Sequence, residues 1–484
     1  MGTETHSKTY VVRTLGCKAN VSDSQAIELD LRKNGWLPAP TPQTADLCIV
    51  NSCTVTDEAD RQSRKFAAKF KKMNPDSRVL MTGCGAEVAP ELVAGSPGVD
   101  YVLGNQDKHR FGYLVSEAFS KIQNSNKKTQ IAPALFLGKV SSYGEILSRH
   151  PMDREWPGAG QAFSVQSENL IEDGFKTRAF LKIQEGCNAF CTYCIIPYGR
   201  GPSRSLAPDM ILGQVRKLTK IGLREIVITG TNIGDYGNDL IGNVNLESLL
   251  IRIFGETSIE RVRVSSLDPT EITTGILDLM ESEPRFCPHF HVSLQSPLSK
   301  ILKLMKRNYG EGEVRECLQK LVQVRGGTTY VGMDLITGFP GESREDFDRT
   351  VAVLEELPWT RLHVFPYSER SGTPATRLPG IVPREERVRR TKYLNRLSLD
   401  RFAAHYRRRI LDQKKLGTQF NGILLERPSR GPDGSEGWVS GYTPDYLRVW
   451  MRAGGKRWNE IVSANILEIW VDRAAGDVAG IEAV

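Results

Sequence analysis

The segment RAFLKIQEGCNAFCTYCIIP, residues 178–197, places three cysteines directly after an apolar stretch. Residues 179–183 are mostly apolar and predict a buried strand. Cys187, Cys191 and Cys194 follow this strand in C-x3-C-x2-C spacing. Three thiolates so close together can hold three irons of a 4Fe–4S cluster and leave the fourth iron without a protein ligand. The segment therefore predicts a strand and a cluster-binding loop, with one iron open to a substrate or cofactor.

Two other interpretations of these cysteines are weaker. A structural zinc site normally has four ligands, commonly from separated C-x2-C pairs, and no fourth Cys or His lies near this run. The other interpretation is that three of the nine cysteines fall together by chance. A disulfide framework is not expected, because the N-terminus has no apolar stretch of the signal-peptide type.

Strand and helix patterns alternate after the cysteine loop. Six parallel βα units predict an α/β fold with an incomplete TIM-type barrel, (β/α)6, whose chemistry lies at the C-terminal ends of the strands. Several residues at or near these strand ends are candidates for cofactor contacts, and polar capping of buried loops is the alternative. The predicted strands are residues 179–183, 225–229, 261–266, 289–294, 330–336 and 361–366. The candidate cofactor-binding residues are Gly230, Asn232, Ser266, Gln295 and Asp334.

The first 121 residues predict a small α/β domain with a mostly parallel sheet. Its predicted strands are residues 10–15, 45–51, 78–82 and 100–103. Cys17, Cys53 and Cys84 each follow the C-terminal end of one of the first three strands. Because these ends lie side by side in a parallel sheet, we expect the three distant cysteines to converge on one crevice. The alternative is three independent core cysteines, as Cys48 inside a strand is expected to be.

The C-terminal part of the chain predicts a helix and then a small β-barrel. The helix extends from residue 383 to just before residue 417, and short strands between Gly-rich turns follow it. Between residues 361 and 420 there are 15 basic and 5 acidic side chains. This local excess of positive charge suits the binding of a polyanion such as RNA, although a solvated helix face has the same pattern. The predicted strands are residues 420–426, 437–440, 446–451 and 461–470.

The composition is that of an ordinary globular protein. The 484 residues are 40% hydrophobic and 25% charged, with a net charge of +7. Apolar runs are too short to span a bilayer, so we expect no membrane association and a cytoplasmic location. The expected division is an α/β domain over residues 1–121, a linker or insertion over 122–177, the six-stranded barrel over 178–410 and the small β-barrel over 411–475.

Residues 178–197 resemble the radical S-adenosylmethionine segment of the methylthiotransferases. The resemblance implies that the open iron chelates S-adenosylmethionine, and that reduction cleaves this cofactor into methionine and a 5′-deoxyadenosyl radical. It also implies a second, auxiliary 4Fe–4S cluster on Cys17, Cys53 and Cys84, which delivers sulfur. A second S-adenosylmethionine then supplies the methyl group. The implied partners are tRNA and a reducing electron donor such as flavodoxin or ferredoxin.

The C-terminal region resembles a TRAM domain, which is an RNA-binding module. Tyr442, Tyr446, Arg448 and Trp450 combine aromatic and basic groups, as RNA contacts often do. A core position is the alternative for each aromatic side chain.

The resemblance also bears on the substrate. Residues 53–64 (CTVTDEADRQSR), 14–18 (TLGCK) and 441–446 (GYTPDY) are similar to the branch that acts on threonylcarbamoylated adenosine in tRNA. This implies methylthiolation at C2 of N6-threonylcarbamoyladenosine next to the anticodon. Residues 21–24 (VSDS) are more similar to the isopentenyladenosine branch, which stays open as an alternative. A non-catalytic iron–sulfur RNA-binding sensor is a third.

Overall fold

A computed structural model describes residues 8–123, 135–138 and 177–482 of the protein. The first group of strands is β1 (Thr9–Thr14), β2 (Leu37–Pro38), β3 (Leu47–Ser52), β4 (Arg78–Gly83), β5 (Tyr101–Leu103) and β6 (Leu135–Leu137). The first group of helices is α1 (Lys18–Lys33), α2 (Asp57–Met73), α3 (Cys84–Val88), α4 (Pro90–Ala94) and α5 (Phe111–Gln123). All six strands are parallel, in the order β2-β1-β3-β4-β5-β6. The predicted parallel sheet is confirmed.

This sheet is covered on both faces. Side chains of α1 and α5 form one apolar core against it, and side chains of α2 and α4 form another. Every residue of β3 is buried, as expected for a central strand between two helical layers. The edge strands β2 and β6 were not predicted. Strand β6 pairs with β5 although it lies in the stretch expected to be a linker, most of which falls outside the described residues.

The middle of the chain forms the barrel. Its strands are β7 (Arg178–Lys182), β8 (Gln184–Glu185), β9 (Arg204–Ser205), β10 (Glu225–Thr229), β11 (Arg261–Val264), β12 (Ser266–Leu267), β13 (His289–Gln295), β14 (Tyr330–Thr337) and β15 (Arg361–Pro366). Its helices are α6 (Ile196–Arg200), α7 (Pro208–Lys220), α8 (Leu246–Glu256), α9 (Thr274–Ser282), α10 (Ser299–Leu304), α11 (Glu311–Leu321) and α12 (Arg344–Glu356). The barrel strands form two parallel sheets, in the orders β11-β10-β7 and β12-β13-β14-β15. The chain passes from the first sheet to the second at Ser265, which lies between β11 and β12. They form one curved row of six strand positions, so the predicted (β/α)6 barrel is confirmed.

The C-terminal sheet follows a long helix, α13 (Arg384–Leu416). Its strands are β16 (Phe420–Leu425), β17 (Trp438–Tyr442), β18 (Arg448–Arg452), β19 (Ile461–Ala464), β20 (Ile466–Asp472) and β21 (Asp477–Glu482). They form a curled sheet in the order β19-β16-β17-β18-β21-β20, consistent with the predicted small barrel. The predicted strand over residues 461–470 is two strands, β19 and β20. Strand β21 extends the sheet beyond residue 475.

Helix α13 belongs to two cores. Leu394, near its start, lies in the barrel core, whereas Phe402, Tyr406 and Ile410 lie in the core of the C-terminal sheet. Gly417 ends the helix in the left-handed conformation, with φ of 63°. The expected boundary between residues 410 and 411 therefore falls inside a continuous helix, and the domain boundaries stay predictions.

The C-terminal sheet is also fixed to the N-terminal ends of the barrel strands. Arg261 Nη1 donates to the carbonyl of Gly422 at 2.7 Å, and Arg263 Nη1 donates to that of Pro444 at 2.9 Å. Both arginines form ion pairs with the buried Glu225 at the start of β10. Although burial opposes ionisation, these cations hold the pKa of Glu225 at about 2.

Within the described ranges, no helix is both long and apolar enough to cross a membrane.

Candidate functional site

The cysteine loop of the barrel is enclosed by a short antiparallel pair of strands, β8 and β9. Gly186, just before Cys187, has φ of 78°, and a Cβ atom there would lie 1.8 Å from the Pro202 carbonyl oxygen. Only glycine fits this close approach. Further along the loop, the Thr192 backbone N–H donates to the carbonyl of Met305 at 3.1 Å. The loop is thus anchored on both sides, and Cys187, Cys191 and Cys194, the barrel trio, are held together.

The barrel trio lies in a largely buried environment. Burial raises the pKa of Cys187 to about 12, and the neighbouring Cys191 adds to this shift. Burial also raises the pKa of Cys194, with further contributions from the other two thiols. Arg307 Nη1 lies 3.1 Å from Cys191 Sγ, and Arg307 also forms an ion pair with Asp268. A cation is therefore in direct contact with one sulfur of the trio.

Two candidate cofactor-binding residues lie beside the barrel trio. Gly230 and Asn232 follow β10, where the Gln184 side-chain oxygen accepts from the backbone N–H of Asn232 at 2.9 Å. A Cβ on Gly230 would lie 2.9 Å from the same Gln184 oxygen. Asp235, at the end of the following turn, is close enough to contribute to the raised pKa of Cys187. The fully buried Gln184, which directly precedes the cysteine loop, therefore positions this second loop next to the cysteines.

The other three candidates lie on later strands of the barrel: Ser266 begins β12, Gln295 ends β13 and Asp334 lies within β14. Ser266 pairs in register with His291, and Asp334 pairs with His363. Asp334 Oδ1 is 2.8 Å from His291 Nε2. Although burial opposes ionisation, His291 keeps the pKa of Asp334 below its usual value. Gln295 ends β13 with φ of 61°. The carboxylate of Asp334 is thus engaged by histidine, and the cofactor roles of all five candidates stay predictions.

Cys17, Cys53 and Cys84, the N-terminal trio, follow the ends of β1, β3 and β4, and the structure brings them together. Gly16 has φ of 90°, and a Cβ there would lie 2.6 Å from Cys53 Sγ. Burial raises the pKa of Cys53 to about 12, and both Cys84 and Cys17 add to it. The expected convergence at one edge of the sheet is therefore seen.

Asn20 joins the three loops that carry this trio. Its side-chain amide donates to the carbonyl of Leu15 at 2.8 Å and to that of Ser52 at 2.9 Å. Its Oδ1 atom lies 4.0 Å from Cys84 Sγ. One buried side chain thus fixes the spacing of the cysteine loops.

Arg200 extends from the barrel to the N-terminal trio. It is 1% exposed, and its guanidinium donates to Asn20 Oδ1 at 2.5 Å, to Asp23 at 2.9 Å and to Glu185 at 2.6 Å. Asp23 also forms ion pairs with Lys108 and Lys182. Although burial opposes ionisation, these cations keep the pKa of Asp23 well below its usual value. A buried charge network therefore joins the two domains between the two trios.

Each trio has the donor chemistry of a 4Fe–4S site. Buried thiols with raised pKa values become thiolates when a metal compensates their charge. Within the described residues, no three Cys, His, Asp or Glu side chains converge closely enough to hold a single metal ion. A four-iron cluster distributes three sulfur ligands over three irons, so it does not need that convergence. The donor sets fit clusters better than zinc, and the ligand roles stay predictions.

Several residues around these sites were not predicted from the sequence. Arg200 and Gln184 flank the cysteine loop, but neither belongs to a metal-binding spacing that would single it out. Arg307 contacts Cys191 across more than a hundred residues of chain, which no local pattern shows. Trp450 is buried, so the RNA contact suggested for it is not supported, and the ring of Tyr446 packs on His289 of the barrel at 4.7 Å.

Two family models match the chain. The Radical SAM superfamily matches residues 181–354, and the Uncharacterized protein family UPF0004 matches residues 9–104. Among solved structures, the radical S-adenosylmethionine methyltransferase TsrM from Kitasatospora setae has a TM-score of 0.52 at 14% identity, covering 76% of this chain and 77% of that chain. The fold and the barrel trio define a radical S-adenosylmethionine protein.

Two curated relatives identify the family within this class of proteins. Threonylcarbamoyladenosine tRNA methylthiotransferase MtaB of Bacillus subtilis is 33% identical over 95% of this chain and 94% of its own length. A tRNA-2-methylthio-N(6)-dimethylallyladenosine synthase of Carboxydothermus hydrogenoformans is 33% identical over 80% of this chain and 82% of its own. The chain belongs to the radical S-adenosylmethionine tRNA methylthiotransferase family. It is a transferase that uses S-adenosylmethionine and an iron–sulfur cluster, so the non-catalytic sensor is not supported.

Proposed function

We propose that this enzyme adds a methylthio group to C2 of N6-threonylcarbamoyladenosine next to the anticodon of tRNA. The observation that carries the proposal is the extent of the similarity. The Bacillus subtilis relative aligns over the N-terminal sheet, the barrel and the C-terminal sheet, whereas the dimethylallyladenosine synthase covers less of the chain. The isopentenyladenosine branch is the second candidate, favoured by residues 21–24.

We propose that each cysteine trio holds one 4Fe–4S cluster. The barrel trio would hold the cluster that binds S-adenosylmethionine and supplies the 5′-deoxyadenosyl radical, and the N-terminal trio would hold the cluster that supplies sulfur. The anchored loop fixes the positions of the barrel cysteines, and the strand ends of the parallel sheet fix those of the N-terminal cysteines.

The surrounding residues orient these groups. Gln184 holds the loop of Gly230 and Asn232 beside the barrel trio, where backbone and amide groups can contact the methionine part of the cofactor. Arg307 places a positive charge 3.1 Å from the Cys191 sulfur. The buried network of Arg200 and Asp23 keeps the two trios in a fixed relation.

Exposed basic residues offer a surface for tRNA. Some of the basic side chains between residues 361 and 420 form ion pairs within the protein: Arg387 pairs with Glu369, and Arg390 pairs with Glu342. Exposed cations with no ion pair to a described carboxylate lie on α13 and on the C-terminal sheet, where they can contact phosphate. They include Lys392, Arg396, Arg407, Arg408, Arg427, Arg430, Arg452 and Arg457.

We also propose that a flavodoxin or ferredoxin supplies the electron that reduces the cluster.

Mass spectrometry of tRNA nucleosides from cells with and without this gene tests the function. Without the gene, we expect the 2-methylthio form of N6-threonylcarbamoyladenosine to disappear and its unmethylthiolated precursor to accumulate. A gene with Cys191→Ala should not restore it, whereas Cys317→Ala, a buried cysteine on α11 outside both trios, should. Loss of the methylthiolated isopentenyl nucleoside instead would assign the enzyme to the other branch.

A further inference from the structure

A cavity of about 230 Å³ lies where the barrel, α1 and the C-terminal sheet meet. His289, His291 and His363 line it from β13 and β15. Lys18, the first residue of α1, and Tyr446 of the C-terminal sheet close it from the other sides. Pockets for drug-sized molecules measure about 300–1,000 Å³. The cavity is therefore of a size for a side group rather than for a whole nucleotide.

Lys18 is the cation without a counterion at this cavity. In the described parts of the chain, its ammonium has no hydrogen bond and no carboxylate within ion-pair distance. The other cations on the wall are paired: Arg361 and Arg448 both form ion pairs with Asp477, at 3.3 Å and 3.6 Å. The nearby carboxylate of Asp334 is hydrogen-bonded to His291. A negative charge close to an unpaired cation is favourable, so the cavity favours an anion as its ligand.

A second wall residue also lacks a partner. His289 is 3% exposed, and its Nδ1 atom has no hydrogen-bond partner among the described residues. Its ring stacks on Tyr330 at 5.1 Å and packs on Tyr446 at 4.7 Å, so it is held in place. A buried ring nitrogen without a partner is unusual, and a polar ligand in the cavity would satisfy it.

We propose that this cavity binds the threonyl side group of the substrate base, with the Lys18 ammonium as the counterion of its carboxylate. This inference rests on the proposed function. The threonylcarbamoyl group on N6 carries one carboxylate and one hydroxyl, which match an ammonium and an unpaired ring nitrogen. An isopentenyl group has neither and would leave Lys18 without a counterion, so the cavity selects between the two substrates.

The position of Lys18 agrees with the chemistry. It follows Cys17 of the N-terminal trio directly in the chain. In adenine, N6 and C2 lie on the same edge of the ring, separated by C6 and N1. A side group anchored at Lys18 therefore brings the C2 edge toward the trio proposed to supply sulfur. Binding of the side group and positioning of the reacting carbon follow from one contact.

Synthetic anticodon stem–loops test the proposal on anaerobically reconstituted holoenzyme. One carries N6-threonylcarbamoyladenosine, and the second carries its methyl ester, which removes the negative charge and little else. We expect the wild type to bind the acid at least about tenfold more tightly than the ester, since tenfold corresponds to about 1.4 kcal/mol. Lys18→Gln should reduce this ratio to about one, and Lys18→Arg should keep most of it.

Equal affinity of the wild type for acid and ester would overturn the proposal, and so would an unchanged ratio in Lys18→Gln. Iron content and 5′-deoxyadenosine formation of each variant control for damage at Cys17. If Lys18→Gln loses iron, the wild-type comparison of acid and ester decides alone. Failure of the proposed function is a different result: the wild type would then methylthiolate an isopentenyladenosine stem–loop and not the threonylcarbamoyl one.

Discussion

The two cysteine trios have similar surroundings, but the chain brings their cysteines together in different ways. The barrel trio lies on one loop between β8 and β9, and its spacing is visible in the sequence. The N-terminal trio comes from three separate loops, which the parallel sheet brings together. One site is therefore encoded locally, whereas the other depends on the fold of a whole domain and on a contact from its neighbour.

The arginines beside the trios differ in the same way. Arg307 contacts a sulfur of the barrel trio directly. Arg200 reaches the N-terminal trio through Asn20, which in turn holds the backbone of two cysteine loops. Substitution at the first arginine changes the charge at one sulfur, and substitution at the second changes the arrangement of three loops.

Removing the barrel trio should have the largest effect. The variant with Cys187→Ala, Cys191→Ala and Cys194→Ala should lose about half of the iron bound by wild type, which we expect to be about eight irons from two clusters. Formation of 5′-deoxyadenosine should fall to background, because no other site is proposed to bind S-adenosylmethionine. Iron analysis and liquid chromatography measure both, and full iron retention would refute the assignment of this cluster.

Arg200→Gln should affect the two trios unequally. Loss of this buried cation leaves Asp23 and Glu185 less compensated, which for buried pairs typically costs about 3–5 kcal/mol in the free energy of unfolding. We expect the yield of methylthiolated nucleoside to fall more than the yield of 5′-deoxyadenosine, because Arg200 supports the loops of the N-terminal trio. Urea unfolding and product analysis provide the two readouts.

Arg216→Gln serves as the matched control for that variant. Arg216 pairs with Glu256 on the surface, where an ion pair contributes little to stability. Equal losses of stability in the two variants would show that the Arg200 network is no more important than a surface pair.

The smallest effect is expected at the C-terminal sheet. Deleting residues 418–484 is not a clean test, because Arg261 and Arg263 would lose the carbonyl groups that they bind. Replacing exposed arginines with Gln leaves those contacts intact; the four are Arg427, Arg430, Arg452 and Arg457. The slope of log affinity for tRNA against log salt should become shallower by about 0.7–0.9 for each arginine that contacts a phosphate. An unchanged slope would place the tRNA on another surface.

Much of this arrangement could be predicted from sequence because it follows local rules. The barrel strands and the end of α13 at Gly417 come from apolar runs and glycine, whose effects extend over a few residues. The placement of the N-terminal trio followed from strand ends in a parallel sheet. The contacts of Arg200 with Asp23 and of Tyr446 with His289 could not be predicted, because they depend on how separate domains pack together.

The separate roles of the two trios can be tested in a single reaction with the variant carrying Cys17→Ala, Cys53→Ala and Cys84→Ala, after circular dichroism has shown that it is folded. Both 5′-deoxyadenosine and methylthiolated nucleoside are measured from the same sample. We expect 5′-deoxyadenosine to persist, because the barrel trio is untouched, and methylthiolated nucleoside to be absent. Methylthiolated tRNA at normal yield would contradict the sulfur role of the N-terminal trio.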